Sequence, residues 1–250
     1  MRVSLEKLLA VETVGRSGKV GIWRPLPHGE LVGELTSACE KAGMKAVSER
    51  YELGYGGDRC WVMLTLTGVG REIGLWRPFA IVLRNSNDRN FAIGYTAGAE
   101  IEGVGMVFKA GFRAFRKHTR GGKRGIPELG DLSETLVKIV ESAVGEAHGI
   151  VEWHNGLGGC ALDKGAWGAL SVEAADHKLI SLNSYLRLMG KEKPVRFPDT
   201  LGEWYDICAR SICDRAERVI GIPTWVEKSV KLAEIANREM SRVSLKMTGI

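Results

Sequence analysis

Residues 46–109 contain a series of short segments rich in β-branched and aromatic residues, separated by mostly short loops. Alternation of apolar and polar residues, or β-rich composition, predicts strands at 46–53, 60–66, 79–83, 91–95 and 101–109. Parallel pairing needs crossover connections of a dozen or more residues, and short loops do not provide them. The segments therefore predict an antiparallel sheet.

The chain on both sides of this block has helical periodicity. Before it, residues 4–13 and 29–42 predict two helices, the first capped by Ser4. After Pro127, apolar residues recur at helical spacing, with Thr200 as the cap of one helix and Pro223 near the start of the last one. The predicted fold class is α+β. An antiparallel sheet unit over 1–125 ends in a basic helix, and a helical unit over 126–250 packs on it, either as a second domain or as part of a single one.

The net charge of the chain, +5, is concentrated in one basic stretch. Between Glu102 and Glu128 there are seven Lys or Arg residues and no acid, which leaves the other residues at about −2. On a helical projection, Phe108, Phe112 and Phe115 share one face, and the cations cluster roughly 120° away. Strand alternation fits less well because Phe115 would fall on the wrong face. The stretch therefore predicts an amphipathic basic helix.

A concentrated cationic patch raises the local electrostatic potential and recruits polyanions, of which nucleic acid is the commonest. Nearby aromatic side chains can stack on unpaired bases, and Phe112, Phe115 and Trp76 are the candidates, although core burial also explains the phenylalanines. The leading hypothesis is a non-enzymatic protein that binds or anneals single-stranded DNA through the basic helix. The predicted nucleic-acid-binding residues are Lys109, Arg113, Arg116, Lys117, His118, Arg120, Lys123 and Arg124. The alternative is an ordinary solvated helix face.

Two other classes of function stay open. A small enzyme acting on phosphoesters or nucleotides would use His118 as a general acid beside a bound phosphate. A histidine near a helix end, stabilised by the helix dipole, explains the same residue without chemistry. A host-interaction or anti-defence protein would instead present the basic patch to an acidic protein partner.

Metal sites have two candidates, each with a structural alternative. His148, His154 and Cys160 are residue types that bind zinc, but their spacing matches no standard zinc site, which favours a structural role. The Asn85–Asn90 loop offers three amides and one carboxylate to a divalent cation. A single carboxylate is poor for calcium, so a hairpin turn held by Asx hydrogen bonds is favoured. We predict no cofactor.

The first residues lack a long apolar run followed by a cleavage site, and no stretch approaches the length of a membrane span. The five cysteines form an odd, scattered set, which is typical of reduced thiols. We therefore expect a cytoplasmic protein without membrane contact, which can form a homo-oligomer.

Several segments, in their order along the chain, resemble one family. They are Leu26–Leu31, Val47–Leu53, Ile81–Asp88, Arg116–Thr119, and Thr200 with Trp204. Together they resemble the phage- and plasmid-associated proteins grouped as domain of unknown function nine-hundred-thirty-two, over roughly residues 26–245. The family usually has Asn-Ser-His-Asp where this chain has Asn-Ser-Asn-Asp. The resemblance implies a phage or mobile-element context in bacteria and carries no established activity. A sheet followed by a basic helix is also how phage strand-annealing proteins, which form rings or filaments, are often organised.

Overall fold

The strands follow one another through the sheet in the order of the chain. The computed structural model describes residues 1–11, 26–68, 77–88, 90–116, 129–188 and 197–247. The strands are β1 (Arg2–Val3), β2 (Met44–Gly54), β3 (Arg59–Gly68), β4 (Phe79–Ser86), β5 (Ile93–Ile101), β6 (Gly105–Phe108) and β7 (Arg113–Arg116). The sheet order is β1 to β6 in sequence, with β7 also pairing with β5. The pairs β1–β2, β2–β3, β3–β4 and β5–β7 are antiparallel, which confirms the predicted antiparallel sheet.

The helices lie before β2 and after β7. They are α1 (Leu5–Leu9), α2 (His28–Lys41), α3 (Leu129–Gly158), α4 (Lys164–Asp176), α5 (Leu182–Leu188), α6 (Leu201–Arg218) and α7 (Ile222–Met247). The predicted cap Thr200 accepts a hydrogen bond from the Glu203 backbone N–H at 3.2 Å, and Ser4 caps α1 through the Lys7 N–H at the same distance. The fold is α+β, as predicted. Within the described ranges, no helix is long and apolar enough to cross a membrane.

The chain divides into two compact units that interleave in sequence. The first comprises Met1–Gly98 and Phe112–Ala147, and the second comprises Ala99–Gly111 and His148–Ile250. β5 and α3 therefore each begin in the first unit and end in the second.

Burial along β3 distinguishes the two faces of the sheet in the first unit. On one face, every second residue is buried: Cys60, Val62, Leu64 and Leu66. Arg59 and Trp61 point to the opposite face and are half-buried. The strand register places Trp61 opposite Arg84 of β4. The second face of the sheet therefore carries an arginine and a tryptophan side by side.

The basic stretch is not a helix where the structure describes it. Residues Arg113–Arg116 form β7, with Tyr95 opposite Arg113 and Gly94 opposite Ala114. The next pair is Ile93 with Arg116, so Phe115 is an extra, bulged residue in β7. A bulge changes the direction of the side chains that follow it, which is why simple alternation failed as a test for a strand. The predicted amphipathic helix was wrong at these residues, and residues 117–128 lie outside the described ranges.

The glycine-rich segment 155–159, whose composition is typical of a loop, lies at the end of a helix in the structure. α3 continues through Gly158. In the second unit, a Cβ added to Gly202 of α6 would lie 3.0 Å from the Gly158 backbone nitrogen. Gly202 therefore permits α6 to approach the backbone of α3 closely, whereas a Cβ on Gly156 or Gly158 would meet nothing within 4 Å.

Candidate nucleic-acid interface

The connection between β2 and β3 holds an aromatic ring out toward solvent. Tyr55 is 68% exposed, and its φ of +54° lies in the left-handed region that side chains other than glycine seldom adopt. Gly56 and Gly57 follow with φ of +69° and +102°. Such a conformation costs about 1 kcal/mol for a residue with a Cβ and is retained where the surrounding structure enforces it. An exposed aromatic residue held in this way is a functional candidate.

A buried histidine holds this turn in place. The Asn85 Nδ2 group donates to the Leu26 carbonyl at 2.8 Å and lies 2.9 Å from His28 Nδ1. Because the carbonyl can only accept, the amide orientation is defined, and His28 Nδ1 accepts. His28 Nε2 then donates to the Gly57 carbonyl at 2.8 Å. Burial lowers the pKa of His28, against the opposing effects of the Gly57 hydrogen bond and nearby Asp58, so the ring is neutral at pH 7.

Arg59 stacks beneath the exposed ring. Its guanidinium carbon lies 3.5 Å from the centroid of the Tyr55 ring, well within the range of a cation–π contact. The Arg59 Nε also donates to Asp88 Oδ2 at 2.7 Å. The ion pair fixes the guanidinium plane, and the guanidinium in turn fixes the tyrosine.

Further rings and a second arginine extend this contact across the sheet face. Phe91 lies 5.8 Å from Trp61 between ring centroids, and the Arg84 guanidinium lies 5.0 Å from Phe91 and 4.9 Å from Phe112. We call this set the arginine–aromatic cluster: Tyr55, Arg59, Trp61, Arg84, Phe91 and Phe112. Apart from the exposed Tyr55, its members are all half-buried. Planar rings and guanidinium groups at one surface can stack on unpaired bases.

Asp88 is the anchor at the edge of the cluster. It accepts hydrogen bonds from the Ser86 hydroxyl, from Arg59, and from the Asn90 side chain at 2.8 Å and backbone N–H at 3.2 Å. Burial alone would raise the pKa of Asp88, but these donors hold it well below the ordinary value of 3.8. The predicted Asx-bonded turn is therefore present in the described part of the Asn85–Asn90 loop, and its carboxylate is already occupied by protein donors.

Replacing Asp88 with asparagine is expected to lower the unfolding free energy by about 2 kcal/mol at pH 7. Because the carboxyl has its lower pKa in the folded state, the unfolded chain takes up the proton first as pH falls. The stabilisation is present above about pH 4 and is lost progressively below it. Urea denaturation at pH 7, 4 and 3 should show the difference between wild type and Asp88→Asn shrinking with pH. The control Asp176→Asn, at the exposed end of α4, should leave the unfolding free energy at pH 7 nearly unchanged.

The predicted basic residues that the structure describes do not share one helix face, contrary to the prediction from the sequence. Arg113 is half-exposed, forms an ion pair with Glu146, and lies 4.9 Å from the Tyr95 ring. In the second unit, the Lys109 Nζ lies 5.1 Å from the Trp153 ring. Arg116 ends β7 opposite Ile93. The other predicted cations and the catalytic candidate lie outside the described residues: Lys117, His118, Arg120, Lys123 and Arg124.

The predicted stacking residues Phe112, Phe115 and Trp76, and Phe108 of the same predicted helical face, have different positions. Phe112 is half-buried within the cluster, and Phe115 is half-buried 6.2 Å from Tyr95. Phe108 is fully buried, and Trp76 lies outside the described residues. Core burial therefore explains Phe108, whereas Phe112 belongs to the cluster.

The candidate zinc ligands have other contacts. His154 Nε2 lies 2.7 Å from Asp206 Oδ1, and the Cys160 thiol donates to the Gly156 carbonyl at 3.6 Å. The described ranges contain no group of three or more His, Cys, Asp or Glu side chains placed to bind one metal ion, so His148, His154 and Cys160 do not form one.

Several cluster residues were not predicted. Tyr55, Arg59 and Arg84 were assigned no function, and Trp61 and Phe91 were taken only as parts of strands. The one local signal was an aromatic residue placed directly before two glycines in a hairpin turn. Comparison of the chain with protein-family models, curated proteins and solved structures gives no match. The geometry of the cluster is therefore what indicates a function.

Proposed function

We propose that this protein binds single-stranded nucleic acid across the arginine–aromatic cluster. The observation that carries the proposal is Tyr55, an exposed ring held in left-handed backbone and stacked on Arg59. Every nucleobase has a π-face, so stacking on such rings tolerates any sequence. A base paired in a duplex does not present that face, which is why the proposal concerns single strands.

The basic stretch supplies the long-range attraction for this ligand. It contains Phe112 of the cluster, and β7 begins at the next residue. Its cations, from Lys109 to Arg124, raise the positive potential on a chain whose remaining residues are slightly acidic. Stacking then contributes contact energy, and the phosphates contribute a dependence on salt concentration.

The biological setting we infer is that of a phage or plasmid protein that binds or anneals DNA strands, in keeping with the family resemblance. Annealing brings two single strands to one protein surface or one oligomer, so a homo-oligomer fits this setting. An annealing assay with complementary labelled oligonucleotides, run beside size-exclusion chromatography with light scattering, tests both parts.

The test of binding is fluorescence anisotropy with a labelled single-stranded oligonucleotide and a hairpin duplex of the same length. We expect tighter binding to the single strand, with affinity falling steeply between 50 and 200 mM salt by about 10-fold or more. Equal affinity for both substrates would contradict the stacking interpretation. An absence of binding at low salt would contradict the proposed function altogether.

A further inference from the structure

Among the described residues, Arg84 has no acidic partner, in contrast to Arg59 and Arg113 around the cluster. Arg59 is paired with Asp88, and Arg113 is paired with Glu146. For Arg84, no carboxylate among the described residues lies within ion-pair distance. Its Nε atom is buried and has no hydrogen-bond acceptor. At the cluster, Arg84 is therefore the arginine whose positive charge no acidic group among the described residues compensates.

The Arg84 side chain is positioned by rings and backbone instead of by an acceptor. Phe91 and Phe112 lie 5.0 and 4.9 Å from its guanidinium carbon, and Trp61 lies opposite it in the strand register. A Cβ built on Gly94 would lie 3.2 Å from the Arg84 Nε, so a residue without a side chain leaves the space that the guanidinium occupies. These contacts hold the group in one place while leaving it unpaired.

A cation that has no acidic partner and is partly shielded from water destabilises the protein when no ligand is bound. Burial lowers the pKa of Arg84, as expected where water is partly removed from a charged group, although a guanidinium stays protonated at any ordinary pH. The same loss of water strengthens the attraction of an anion that reaches it. Sites with such an uncompensated cost are commonly sites of function.

We propose that Arg84 binds one phosphate of the nucleic-acid strand, an inference that rests on the proposed function. The two terminal nitrogens of a guanidinium form a planar fork that donates parallel hydrogen bonds to two phosphate oxygens. Neighbouring rings would hold the bases on either side of that phosphate. Arg59 and Arg113, whose charges are already paired, contribute less to neutralising the strand.

The experiment measures binding of a labelled oligothymidine strand by wild type, Arg84→Met and Arg84→Lys across a salt series. Arg84→Met should bind about 10-fold more weakly. It should also lower the slope of log affinity against log salt concentration by about 0.7, as expected for one phosphate on a single strand. Arg84→Lys should keep the wild-type slope and lose part of the affinity, because a lysine retains the charge without the fork.

The matched control is Arg242→Met, which removes one positive charge from an arginine paired with Glu239 on α7. It should change neither affinity nor slope, and thermal unfolding should show that all variants are folded. A wild-type slope in Arg84→Met, alongside normal wild-type binding, overturns the phosphate site and leaves the proposed function intact. If Arg84→Met weakens the binding of guanine-containing strands only and leaves the salt slope unchanged, Arg84 contacts a base edge and the phosphate site is wrong. If wild type itself does not bind, the proposed function fails and this inference fails with it.

Discussion

The Gly94→Ala substitution is expected to lower the free energy of unfolding by about 3 kcal/mol relative to the wild-type protein. A Cβ at this position would lie 2.8 Å from the carbonyl oxygen of Arg113 and 3.2 Å from the Arg84 Nε. The first of these atoms belongs to the backbone of β7, so it cannot move without separating β7 from β5. The added methyl group therefore disrupts the pairing of Gly94 with Ala114 and displaces Arg84 from its position between the rings.

Urea denaturation measures this effect, with Gly145→Ala as the control. Gly145 lies on the exposed side of α3, and a Cβ there has no neighbour within 4 Å. Alanine in an open helical position is expected to add about 0.5–1 kcal/mol of stability. Equal effects of the two substitutions would show that β7 does not lie against β5 as described.

The Tyr55→Asn variant is expected to bind single-stranded nucleic acid about 10-fold more weakly while remaining folded. Asparagine accepts left-handed backbone better than tyrosine, which offsets the loss of the contact with Arg59. The unfolding free energy should therefore change by less than about 1 kcal/mol. Binding should fall because the exposed ring is the platform on which a base stacks.

Two further variants separate stacking from other effects of this substitution. Tyr55→Phe keeps the ring and should bind within about twofold of wild type, since the π-face and not the hydroxyl makes the contact. Val219→Ala removes an exposed apolar side chain of the second unit, 82% accessible, and should leave binding unchanged. Wild-type affinity in Tyr55→Asn would exclude Tyr55 from the interface.

The strands from β2 to β4 could be predicted because each has a β-rich composition, whereas β5 was predicted only over 91–95 and extends to Ile101. β7 could not, because its four residues are too few to present a strand pattern of their own. The bulge at Phe115 also removed the alternation that would have identified it. The helical spacing of Phe108, Phe112 and Phe115 and the charge of the stretch therefore indicated a helix, and strand pairing overrode that preference at residues 113–116.

The candidate site was harder to predict from the sequence than the fold was. Its residues come from the turn at Tyr55, from β3, from the end of β4, and from Phe91 and Phe112 beside β5 and β7. Only the strand register brings Trp61 opposite Arg84. The positive φ of Tyr55 and the missing partner of Arg84 are properties of the folded chain. The charge pattern shows a concentration of cations along the chain, but it contains no information on which arginines are already paired.

The most direct test of the account is to map where a single strand contacts the protein. Photo-crosslinking of wild-type protein to an oligonucleotide containing 5-iodouracil, followed by mass spectrometry of the digested complex, identifies the contacting peptides. The account predicts cross-links at Tyr55, Trp61 or Phe91, which competing unlabelled single strands should suppress. Cross-links confined to the helices over residues 129–247 would contradict the arginine–aromatic cluster as the binding surface.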